Sequence, residues 1–199
     1  MRDYRRRRAF TAKTRRDNTG DRRRRTCGRA FGADGFHRTA RLVLGVGYDI
    51  EFVIACAARE QIALRYLAKQ LGIGERVTLT DYPITGPDFW SVLDIYCQPA
   101  VSASEGRMLM LALARGLPCI ATNVHGLRTL IDYGRDGLLV SPADPVALRT
   151  AITAVLDDPN LARRLAENAS KRVRERFNII DVEADRLAEL YRDVLSSTR

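Results

Sequence analysis

The stretch from Ser104 to Val140 constrains the fold most, because short apolar runs alternate there with breakers at helix and strand spacing. Ser104-Glu105-Gly106 reads as a turn, and Met108 to Ala114 is a run of strong helix formers. Gly116 stands where a helix C-terminus takes a left-handed residue, and Pro118 prevents continuation. Cys119-Ile120-Ala121 is short, apolar and bounded by breakers, the pattern of a strand covered on both faces. Asn123-Val124-His125-Gly126 reads as the opening of another helix, whose backbone N–H groups would point out at the strand's carboxyl end and suit an anionic ligand such as a diphosphate. Tyr133 to Gly137 is a turn, and Leu138-Leu139-Val140 leaves it as a further apolar strand.

The same alternation runs through the rest of the chain. His37 to Val43 reads as the remains of a helix, and Ile50 to Ala55 is a β-branched and aromatic strand. Arg59 to Leu71 predicts an amphipathic helix with Ile62, Tyr66, Leu67 and Leu71 along its apolar stripe. Arg76 to Thr80 is the next strand; Thr85 to Asp88 introduces a short helix through Leu93, with Trp90 as a packing residue. Asp94 to Pro99 carries another strand. Asp144 and Pro145 look like N-cap and first helical residue, and Asp157-Asp158-Pro159 repeats that signal for a helix through Arg174. Ile179 to Leu195 reads as a last helix. Strands alternating with helices predict an α/β chain around a parallel sheet, and 199 residues suffice for one domain with a proper core.

The charge is lopsided. Residues 1–30 hold 13 Lys and Arg against 3 acids, so the net +9 belongs to this Arg-rich tail and the remainder is near neutral. Three readings of the tail stand: a solvated arm, a phosphate-binding arm, or residues read out of an original frame in a shortened gene. No aromatic interleaving accompanies the arginines, so a nucleic-acid partner is not expected. Cys27, Cys56, Cys97 and Cys119 lie far apart, which reads as reduced core thiols in a cytoplasmic protein and not a metal site. No run is long enough for a transmembrane segment, and the N-terminus carries no apolar signal region.

The blocks Ala112 to Pro118, Ala121 to Gly126, Gly134 to Val140 and Pro142 to Pro145, in that order, resemble the nucleotide-sugar-binding half of the retaining GT-B glycosyltransferases of group 1, or family 4. The resemblance implies a Rossmann-like, doubly wound parallel sheet with a helical C-terminus over residues 27–199, behind the tail at 1–26. It also implies transfer of a hexosyl group from a nucleotide-diphosphate-sugar donor to a polysaccharide or glycolipid acceptor. No cofactor or metal is expected. The location is cytoplasmic, with peripheral attachment at the inner membrane face as a variant. The family's acceptor-binding domain has no counterpart here, which implies a partial enzyme or one completed by a separate N-terminal half.

Cys27 to Phe36 resembles the family's V-G-R-L-x-x-x-K-G-F segment, placing Arg29 on the donor diphosphate but Asp34 where a Lys belongs. A carboxylate there is repulsive to a leaving diphosphate. The strand before this segment is expected to be missing, since Arg22 to Thr26 offers nothing apolar to bury. By the same resemblance a Glu that orients the sugar falls on Ala103 if Gly116-Leu117-Pro118 sets the register, or is Glu105 if two residues have been deleted before it, and Gly106, Arg107, Met108, Asn123, His125 and Gly126 line the donor. A second family Glu, which accepts from the ribose hydroxyls, falls on Leu111 if Gly116-Leu117-Pro118 sets the register, or on Leu113 if Glu105-Gly106 does. Thr129 likewise stands where a Glu is usual. Two outcomes stay open: a transferase, whole or half, and a non-catalytic remnant or binding module of the same fold.

Overall fold

The computed structural model describes residues 24–29, 33–81, 87–104 and 106–177. Among these residues six parallel strands form one sheet: β1 (Arg24–Arg29), β2 (Ile50–Cys56), β3 (Val77–Asp81), β4 (Ile95–Gln98), β5 (Cys119–Thr122) and β6 (Leu138–Val140). Their order is β3-β2-β1-β4-β5-β6. The direction of winding therefore reverses between β1 and β4, and in such sheets ligands bind outside the carboxyl ends of the strands at that reversal.

Among the described residues six α-helices cover the sheet: α1 (Ala33–Gly45), α2 (Gln61–Gln70), α3 (Pro87–Ser91), α4 (Arg107–Ala114), α5 (Pro145–Asp157) and α6 (Pro159–Phe177). Alternation along the strands supplies both faces. Ile95, Cys97 and Ile120 join Phe36, Phe52 and Ile152 in the layer under α1 and α5. Tyr96, Cys119 and Ala121 point the other way, into a layer with Leu109, Ala112 and Leu113 of α4. Trp90 packs there as expected, 5.7 Å from the Tyr96 ring and beneath the Arg115 guanidinium. Burying Leu- or Met-sized side chains contributes about 1.5–3 kcal/mol each, which makes α4 a rigid base for what lies at its N-terminus.

Two expectations are corrected. A strand does precede the Gly28 segment: β1 pairs with β2 along its whole length, from Arg24 opposite Ile50 to Arg29 opposite Ala55. It pairs with β4 at Thr26, Cys27 and Gly28 alone. The arginine-rich start thus overhangs its β4 neighbour, and a short, modest segment suffices for the centre of the sheet. On α2, the buried residues are Leu64 and Ala68, while Ile62 and Tyr66 are 82% and 63% exposed. The expected stripe is turned toward solvent at those two positions.

The chain leaves β6 through Ser141 and enters α5 at Asp144, whose carboxylate accepts from the Val146 and Ala147 amides at 3.0 and 2.9 Å. This is the cap the sequence suggests, contributing about 1 kcal/mol. The tail at 1–23 and the helix expected at 179–195 lie outside the described residues. No helix among the described residues is long and apolar enough to cross a membrane.

Candidate functional site

The carboxyl ends of β4 and β5 are joined by a buried polar knot. Gln98, 2% exposed at the end of β4, accepts from the Tyr96 hydroxyl at 3.1 Å and donates through Nε2 to the Ser104 hydroxyl at 3.0 Å. Thr122, at the end of β5, donates its hydroxyl to the Ala100 carbonyl at 2.6 Å. Buried polar groups satisfied in this way fix a loop to a single conformation. The segment from Pro99 to Ser104 is therefore held from below by side chains of two strands.

From above it is held by the next loop. The Ser104 amide donates to the His125 carbonyl at 3.2 Å, and Gly126 (φ 88°) lies against the Ser104 backbone. A Cβ on Gly126 would stand 2.1 Å from the Ser104 carbonyl oxygen, so glycine is the residue that permits this approach. Gly106, with φ 69°, forms the N-cap of α4 beneath Leu127 and Leu130. The helix expected to open at Asn123 is absent. Residues 125–130 form successive turns, with Leu127 and Arg128 both donating to the Val124 carbonyl and Thr129 donating its hydroxyl to the Gly126 carbonyl.

The helix N-terminus facing the cradle is that of α4. Its first internal bond runs from the Met110 amide to the Gly106 carbonyl at 2.9 Å, leaving the amides of Arg107, Met108 and Leu109 without a partner inside the helix. Such a terminus favours an anion through oriented N–H groups and the helix dipole. Arg107 occupies the first helical position, exposed and without an ion-pair partner among the described residues. Across the loop, Asn123, His125 and Arg128 are exposed. Between Asp94 and Asp132 the sequence holds one acid, Glu105, and Arg107 and Arg128 bring two guanidinium groups to this rim.

The candidate residues divide accordingly. Gly106, Arg107, Asn123, His125 and Gly126 meet at the carboxyl ends of β4 and β5. The Met108 side chain is core, and what it can offer a ligand is its backbone N–H. Arg29 ends β1, at the same edge of the sheet and beside the reversal point. Nothing is described of its side chain, of that of Asp34, or of Glu105, which lies outside the described residues. Leu113 is buried, whereas Leu111 is half-buried one turn beyond Arg107. The position on the Arg107 side of α4 thus carries leucine, not a carboxylate. The sequence reading missed Gln98, Ser104 and Thr122, though a Gln after three apolar strand residues and before a Pro was the available signal. Cys119 is buried, and burial, with Cys97 and Asp136 nearby, raises its pKa well above the usual thiol value. It is core, not a nucleophile.

The family model for glycosyl transferases, group 1, matches residues 29–172. An alpha-D-kanosaminyltransferase from Streptomyces kanamyceticus is 29% identical over 150 residues, covering 74% of this chain and 39% of the relative. This chain thus spans about two fifths of that curated relative's length. The crystallised C-terminal domain of a group 1 family glycosyl transferase from Francisella tularensis has a TM-score of 0.68 at 20% identity, over 78% of this chain and 86% of that one. An Anabaena protein, Alr3699/HepE, solved in complex with UDP and glucose, has a TM-score of 0.72 at 19% identity, over 88% and 50%. At these identities the two structures establish likeness of fold.

Proposed function

The chain belongs to the group 1 glycosyl transferases, and from that premise we propose that it is the donor-binding domain of a hexosyltransferase. It would take a nucleotide-diphosphate-sugar and deliver the sugar to a saccharide or glycolipid acceptor held by a facing domain. That domain would be supplied in the same polypeptide or by a separate chain, at the cytoplasmic side of a membrane and peripheral to it. The observation that carries this reading is the α4 N-terminus at the sheet reversal. Three amides without a partner inside the helix, together with Arg107, stand there over a loop that Gly106 and Gly126 allow to pack closely.

In this role the diphosphate sits on the amides of Arg107 to Leu109, with the Arg107 and Arg29 guanidinium groups neutralising charge as the nucleotide leaves. Arginine suits the task because its planar fork can meet two phosphate oxygens at once. Glu105 orients the transferred sugar, and Asn123 and His125 offer polar groups at the opposite rim. The partner domain excludes water and fixes the acceptor. Leu111 accepts nothing from a ribose, so the ribose contributes little to affinity and the choice among nucleotides falls to the base. That leucine also favours the second reading, a binding module that holds a diphosphate and performs no transfer.

Thermal unfolding and calorimetric titration with UDP, GDP and ADP test the proposal. One of them is expected to raise Tm and bind, and Arg107→Ala is expected to weaken that binding about tenfold while changing stability by less than about 0.5 kcal/mol. Absence of binding by all three would overturn it. Binding without sugar release from the donor, when the facing domain is present, would select the binding module.

A further inference from the structure

The outer face of α2 has no part in the cradle and an unusual composition. Ile62 and Tyr66, one helical turn apart, are 82% and 63% exposed. Arg65 and Lys69 flank them on the same side, and Arg59 stands exposed in the turn before the helix. The two acids nearest in sequence stand off this arc. Glu60 turns back to accept from the Ala57 amide at 3.0 Å, and Glu75 lies beyond the helix in the turn before β3. A single exposed apolar residue on a protein surface is ordinary. Two aligned ones, bracketed on one helix arc by three cations and, among the described residues of that arc, by no acid, are not.

We propose that this face of α2 is a membrane-contact surface that takes anionic phospholipid. Tyrosine and isoleucine enter the boundary between headgroups and acyl chains, while Arg59, Arg65 and Lys69 meet the phosphates. Self-association is disfavoured, because a two-fold contact would set these cations against their own copies. A nucleic-acid backbone would meet the cations but leave Ile62 and Tyr66 without apolar contact. The position suits the role. α2 connects β2 to the edge strand β3, so a membrane there leaves the carboxyl ends of β4 and β5 open to ligand. The inference rests on the peripheral-membrane part of the proposed function and not on its chemistry.

The test is flotation of the full chain with vesicles of phosphatidylcholine alone or with about 30% phosphatidylglycerol, with no nucleotide present. Because the arginine-rich N-terminus can also bind anionic vesicles, a local reporter is needed. Tyr66→Trp adds an indole whose emission should shift to the blue on the anionic vesicles and become shielded from acrylamide, whereas Arg163→Trp on α6 should do neither. The pair Ile62→Ser and Tyr66→Ser should reduce partitioning about tenfold at 0.5 M salt, where purely electrostatic attachment is screened. Vesicle binding with a silent indole at position 66 would overturn the α2 assignment and keep a peripheral protein. Equal binding to both vesicle types, or a dimer abolished by the same serine pair, would also overturn it. Absence of any binding would remove the membrane reading and leave the nucleotide reading untouched.

Discussion

The two edges of the sheet treat charge in opposite ways. At the amino-terminal edge, where strands begin, charges are paired. Asp49 pairs with Arg76 ahead of β2 and β3, and the Tyr48 hydroxyl donates to Asp157 at the end of α5. Asp136, 1% exposed before β6, accepts from the Asp132 amide at 2.7 Å and from Arg172 of α6. At the carboxyl-terminal edge Arg107, His125 and Arg128 face solvent, with no ion pair among the described residues. Paired charges close one edge, and at the other the guanidinium groups of Arg107 and Arg128, unpaired among the described residues, remain available to a ligand.

Breaking the paired edge should have the largest effect. Arg172 also donates to the Leu130 carbonyl at 3.2 Å, so it ties α6 to the loop that covers Gly106. Arg172→Met strands the buried Asp136 carboxylate and should cost about 3 kcal/mol, read as a lowered urea midpoint. Adding Asp136→Asn should recover part of the loss, since the uncompensated charge disappears. A loss below about 1 kcal/mol for the single variant would mean the pair is no more than a surface contact.

Two glycines give the next comparison. Gly126 and Gly134 both have positive φ, one at each edge. Gly126→Ala adds a clash with the Ser104 carbonyl to the conformational strain, whereas a Cβ on Gly134 meets nothing within 4 Å. The first should cost ~2–3 kcal/mol and displace the 104–106 loop; the second should cost ~1 kcal/mol. Equal losses in unfolding midpoint would deny the close approach at the cradle.

How much of this was legible depended on how far a segment's role is local. β5 announced itself, because Cys119-Ile120-Ala121 is buried on both faces and bounded by Pro118 and the following turn. β1 did not, because only Thr26 to Gly28 is flanked by strands on both sides, and three small or polar residues leave no apolar run to detect. On α2, residues 62 and 66 compete with 64 and 68 at the same spacing, and periodicity alone cannot choose between them. Asn123 to Gly126 carried the residues of a helix start. The contact of Gly126 with Ser104, a tertiary event 22 residues away in sequence, made turns of it. The glycines and Arg107 of the cradle were readable as a pattern. The Gln98-Ser104-Thr122 knot was not, since it exists only once β4 and β5 are neighbours.

The smallest expected effect belongs to Tyr48 and Asp157. The pKa of Tyr48 is raised, first by the hydrogen bond to Asp157, then by desolvation and by that carboxylate's charge. A phenol with a raised folded pKa contributes stability that is fully present below its unfolded value near 10 and is lost as pH rises through the folded value. Tyr48→Phe should therefore lower the urea midpoint slightly at pH 7, less than Gly134→Ala does, and the gap from the parent protein should close as pH is raised past 10. A gap that persists at high pH would trace the loss to packing of the ring instead of the bond. Closure of the gap would identify a neutral hydroxyl on a carboxylate as one of the fastenings of the amino-terminal edge.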